Sequence, residues 1–149
     1  MKILAAIRAD RPEILQDLSQ TDTRDLVAEN SACPAAVLDQ LSRDGSQFVR
    51  GAVARNSNCP EAIALRLSRD PDPLVRRQTV RRDSALPAVL EILAADRDSE
   101  VREEVARHPG TPVNILLQLL NDRVLWVASA AADNPNLPSS VLAMWQLGH

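Results

Sequence analysis

Residues 49–60 read VRGAVARNSNCP, and the same phrase returns along the chain, altered to different degrees. Its second half appears as NSACP ending at Pro34, NSNCP at Pro60, DSALP at Pro87, HPGTP at Pro112 and NPNLP at Pro138, a period of 25 to 27 residues. Upstream of these prolines stand FVRGAVARN, LVRRQTVRRD and EVREEVARH, and downstream a leucine-rich stretch runs into an Asp. Repetition at one period means that each copy is one supersecondary unit, which buries its apolar face only by stacking on its neighbours.

Each copy reads as two short helices. Proline is favoured at the first helical position, where its missing N–H had no partner anyway, so a helix A is predicted to start at each repeat proline. Apolar residues follow at helical spacing: Val37, Leu38 and Leu41; Ile115, Leu116 and Leu119; Val141, Leu142 and Trp145. Asp44, Asp70, Asp96 and Asp122 close these stretches, and Ser46, Asp72 and Asp98 are N-cap candidates for a helix B. Val49 with Val53, Val101 with Val105, and Val127 with Ala131 give helix B one apolar face. It is predicted to end at Asn30, Asn56, Asp83, His108 and Asn134, residue types that tolerate left-handed αL geometry and so suit an αL cap.

The expected fold is all-α, a superhelical solenoid of about five to six two-helix repeats over residues 1–149 as one domain. Residues 1–33, with Pro12 opening a shortened first copy, serve as the N-terminal cap, 34–137 are the core repeats, and 138–149 form a C-terminal cap helix. Met144, Trp145 and Leu147 read as cap packing or as the contact of a weak homodimer; a monomer is the other expectation.

Composition narrows the function. With 149 residues, 45% hydrophobic, the chain can bury its own core. The net charge of -3 provides no global attraction to nucleic acid or anionic membrane, and no stretch reads as a signal peptide or a bilayer span, so a cytoplasmic protein is expected. Cys33 and Cys59 occupy one repeat slot, filled elsewhere by Leu86, Thr111 and Leu137, and read as small packing residues rather than metal ligands or a disulfide.

The phrase from Val49 to Pro60, with the leucine-rich stretch and D-x-D after it, resembles the leucine-rich repeat variant family. The D-x-D-x-x-V-R element from Asp96 to Arg102 is similar to HEAT-type repeats as well. The resemblance implies a right-handed superhelix in which α-helices alternate with 3₁₀-helices, leaving α/α or α/3₁₀ repeats open here. Its founding member's cysteine-rich iron–sulfur domain has no counterpart in this sequence, so no cofactor is carried over.

Two rows of recurring charge remain. Arg50, Arg76 and Arg102 share one repeat position and Asp44, Asp70 and Asp96 another, which suits an internal Arg–Asp ladder, or else an arginine row for an acidic partner. Arg55, Arg82 and Arg107 fall in the last turn of helix B, where cations complement the helix dipole. The segment from Arg50 to Arg82, with Arg66, Arg69, Arg76, Arg77 and Arg81, is the most basic, and phosphate or carboxylate groups suit such a cluster. Neither His108 nor His149 stands beside a nucleophile, so no catalytic, cofactor or metal residue is assigned. The expectation is a non-catalytic protein-interaction scaffold anchored by arginines with Trp126 or Trp145. Its alternative is duplex nucleic-acid backbone binding through Arg50, Arg55, Arg76, Arg77, Arg81 and Arg82. Single-strand recognition is disfavoured by an aromatic content of 2%.

Overall fold

The computed structural model describes residues 22–82 and 85–148, together with Leu15. Pro12, Asp83 and His149 lie outside the described residues. The chain divides into two compact units, Met1–Asp83 and Ser84–His149.

Every described element is an α-helix. Unit 1 contains α1 (Arg24–Glu29), α2 (Ala35–Leu41), α3 (Gln47–Arg55), α4 (Glu61–Leu67) and α5 (Pro73–Val80). Unit 2 contains α6 (Pro87–Ala94), α7 (Ser99–Arg107), α8 (Val113–Leu119), α9 (Leu125–Ala132) and α10 (Ser139–Gly148). Even-numbered helices are type A and odd-numbered ones type B, so the repeat is α/α among the described residues. Helices this short are unstable alone, and packing holds them. Successive B helices contact most extensively, α1 with α3 and α3 with α5 in unit 1, and α7 with α9 in unit 2. The helix A stripes of Val37, Leu38 and Leu41 and of Ile115, Leu116 and Leu119 are buried, as are the helix B pairs Val49 and Val53, Val101 and Val105, and Val127 and Ala131. Each buried leucine or valine contributes roughly 1.5–3 kcal/mol of transfer free energy.

The helix A boundary shifts by one residue from the prediction in four copies, α10 among them, since it begins at Ser139 after Pro138. Pro34, Pro60 and Pro112 are N-caps with φ near -60° and ψ of 143° to 149°, whereas Pro87 is the first helical residue. The fixed proline φ suits either position. At the cap, its carbonyl accepts the first helical bond, from Leu38, Ala64 and Leu116 respectively.

The αL cap is the larger correction. Asn30, Asn56 and His108 end their helices with φ of -70°, -60° and -67° and ψ of 125° to 129°, which is extended backbone. Asn134 stands one residue beyond the C-cap Asp133 of α9. The chain turns by a different device. The carbonyls of Asn30, Asn56, His108 and Asn134 accept from the N–H three residues on, and their side chains accept from the N–H two residues on, Nδ1 doing so in His108. An Asx-type turn thus replaces the αL residue. Asn is preferred because its amide has a second end. Asn56 Nδ2 donates to Ala28 O at 2.7 Å and Asn30 O at 2.8 Å, and Asn134 Nδ2 to Ala106 O at 2.7 Å and His108 O at 3.0 Å. Those carbonyls end the preceding helix B, so each repeat caps the one before it.

Trp145 donates from its indole to Leu120 O at 3.2 Å, which ties α10 back to the end of α8, while Met144 and Leu147 are exposed. No helix of the described residues is long and apolar enough to cross a membrane.

Candidate functional site

The recurring arginines and aspartates meet between successive repeats. Arg50 donates Nε to Asp70 Oδ2 at 2.8 Å and an Nη to Asp70 Oδ1 at 3.0 Å; Arg102 does the same to Asp122 at 2.7 and 2.9 Å. Arg24 pairs with Asp44 at 2.8 Å. The other Nη of each arginine reaches its own A–B linker, Arg50 to Asp44 O, Arg76 to Asp70 O and Arg102 to Asp96 O, all at 2.8 Å. The aspartates also fold that linker: Oδ1 of Asp44, Asp70, Asp96 and Asp122 accepts from the N–H two residues on at 2.9 Å. The guanidinium fork matches a carboxylate in this bidentate geometry, which a lysine cannot reproduce. The contact holds the Asp122 carboxyl below the usual carboxylate range, chiefly by its bond from Arg102, with the Val124 N–H adding to it. Arg24 and Asp122 belong to this set although the sequence reading named neither for it; both lie 26 residues from a member and were legible by period alone.

The six arginines proposed for a partner are not presented together. Arg76 and Arg82 are 5% and 8% exposed. Arg50 is engaged with Asp70, and Arg55 is paired with Glu29 of the preceding B helix. Arg77 is half-buried and Arg81 exposed. Cys33 and Cys59 are buried free thiols, and burial pushes the Cys33 thiol up to about 11 and the Cys59 thiol up as well, away from the reactive thiolate.

A different surface emerges on the B helices. In unit 1, Phe48 and Leu74 are 64% and 38% exposed and flank a groove of about 210 Å³ across α1, α3 and α5. Gly51 lines it, and a Cβ there would come into van der Waals contact with Gln78 Cγ at 3.4 Å and Leu74 Cδ2 at 3.7 Å. Asp25, Glu29 and Arg55 line it as well. Gln78 lines it too, and its Oε1 has no hydrogen-bond partner among the described residues. In unit 2 the same repeat position carries Trp126, 56% exposed, beside exposed Leu125. The signal was present in the sequence as apolar residues 26 apart, Phe48 and Leu74, on the polar side of helix B. Among the described residues no three His, Cys, Asp or Glu side chains are placed to share a metal ion.

No curated protein and no solved structure matches the chain. The family model described as leucine rich repeat variant matches it twice, at residues 48–72 and 100–124. Each match runs from helix B through the polar turn and helix A into the next linker. Each also contains both members of a bidentate pair, Arg50 with Asp70 and Arg102 with Asp122. One repeat copy in each unit thus matches the leucine rich repeat variant model.

Proposed function

We propose that the protein is a non-catalytic scaffold that binds another protein through the exposed face of its B helices. The observation that carries this reading is the pair Phe48 and Leu74, large apolar side chains left in solvent where they line an open groove. Aromatic and arginine side chains of this kind are the usual energetic anchors of protein interfaces. An unpaired acceptor, Gln78 Oε1, beside the groove supports the same surface, because buried polar groups ordinarily find a partner. Of the arginines first singled out, Arg55 lines that groove, where it would supply part of a polar rim. The ladder arginines spend their hydrogen bonds internally, which weakens the nucleic-acid alternative. A homodimer through the C-terminal end is weakened likewise, since Trp145 bonds within its own chain.

The test is capture of partners from the native cell with the wild-type chain and with Phe48→Ser/Leu74→Ser. Because both side chains are substantially solvent-exposed, the double variant is expected to unfold within a few degrees of wild type. Loss of the captured protein with the fold intact supports the reading. Unchanged capture, or retention only on duplex DNA with steep salt dependence, overturns it.

A further inference from the structure

We propose that the cleft between the A–B linkers of unit 1 is a phosphate-binding site held by Arg43, Arg66 and Arg69. The cleft is about 390 Å³ and is built around the Arg50–Asp70 pair. Unit 2 contains the same cleft, also about 390 Å³, around the Arg102–Asp122 pair. The two share their framework and differ at the mouth. Where unit 1 has Arg43, Arg66 and Arg69, the positions that line the unit 2 cleft are Ala95, Gln118 and Asn121; at two linker positions the order reverses, with Gly45 and Pro71 in unit 1 and Arg97 and Arg123 in unit 2. The repeat therefore folds without arginine at any of the three, and a structural explanation for the trio, such as favouring the ends of the A helices, is not required by the scaffold.

The local charge is unbalanced as well. Arg43 and Arg66 both donate to the single carboxylate of Asp39, at 3.2 and 3.0 Å, Arg66 also reaches Ser42 Oγ, and Arg69 turns back onto the Leu65 carbonyl at 3.0 Å. Two guanidinium groups thus share one carboxylate, which their bonds hold below the usual carboxylate range, while Arg69 bonds to a neutral carbonyl. All three arginines are exposed, so a ligand reaches them without moving the fold. Three guanidiniums arriving from three chain positions offer more donors than a planar carboxylate accepts on two oxygens. A tetrahedral phosphate, with three oxygens and up to two charges, uses them better. The site lies at the linker end of the A helices, so it stands or falls independently of the B-helix groove.

Inorganic pyrophosphate is the probe, followed by titration calorimetry on the full chain. The wild type is expected to bind one equivalent, weakening with salt. The variant Arg43→Ala/Arg66→Gln/Arg69→Asn, which gives unit 1 the residues unit 2 already folds with, is expected to lose at least about tenfold in affinity with unfolding unchanged. Asp39→Asn, which removes the competing carboxylate, is expected to bind more tightly. Given that binding, competition by a phosphoserine peptide identifies a phosphoprotein as the source, and no competition identifies a free phosphate compound. Absence of saturable binding, or equal binding by the triple variant, overturns the proposal. Retention of a short blunt duplex by the wild type alone, without pyrophosphate binding, overturns it in favour of a nucleic-acid backbone.

Discussion

Arg102 shows how a charge is made tolerable inside a repeat stack. Its side chain and that of Asp122 are 6% and 8% exposed, and taking either ion out of water alone would cost several kcal/mol. Two bonds to the carboxylate and one to Asp96 O compensate the guanidinium, while Asp122 accepts in addition from the Val124 N–H. Removing one partner strands the other, so Arg102→Ala is expected to destabilise by roughly 3–5 kcal/mol, measured by urea unfolding. The acid response follows from the same contact. The folded carboxyl of Asp122 titrates below its unfolded value of about 3.9, so its contribution is complete above that pH and is lost as pH falls through the lower folded value. Arg102→Ala should therefore flatten the acid limb of the stability curve below about pH 4, whereas a limb as steep as wild type would show that the pair does not set it.

At the scale of the helix, the short B elements end on a side chain rather than on a special backbone conformation. Asn134 closes its own turn through Oδ1 and satisfies Ala106 O and His108 O through Nδ2. Asn136 extends the device to Pro109 O and Thr111 O, as Asn58 does to Ser31 O. Neither Asn58 nor Asn136 was singled out from sequence, although the recurring N-x-N pattern marks both. Asn134→Ala leaves two buried carbonyls and one N–H without their partner, for an expected loss of about 1–3 kcal/mol. Asn56→Gly, at the equivalent position where the backbone is extended, is the informative comparison. If that position needed αL backbone, Gly would match or exceed wild type; with an extended residue and a working amide, Gly should be no better than Asn56→Ala.

At the scale of the molecule, stability within each unit is a sum of contacts between neighbouring repeats. Arg50 and Arg102 sit at equivalent positions, bond to different aspartates and share no partner. The free-energy changes of Arg50→Ala and Arg102→Ala are therefore expected to add to within about 0.5 kcal/mol, while Arg102→Ala and Asp122→Ala should couple strongly; equal coupling in both pairs would show that the repeats do not act as local units. Spacing along one chain was enough to establish the period, the all-α class, the two helices per copy and their buried stripes. It also singled out the polar turn residues and the ladder. Only the tertiary structure decided which arginine meets which aspartate, a pairing that joins one repeat to the next. It decided too that the polar turns at Asn30, Asn56 and His108 are extended rather than αL, and that the Asn56 amide bonds to carbonyls 26 and 28 residues away. The candidate sites divided in the same way. Burial withdrew Arg76 and Arg82 from the surface, and the comparison of two equivalent clefts singled out Arg43, Arg66 and Arg69, because exposure and shared framework are properties of the packed stack and not of the chain.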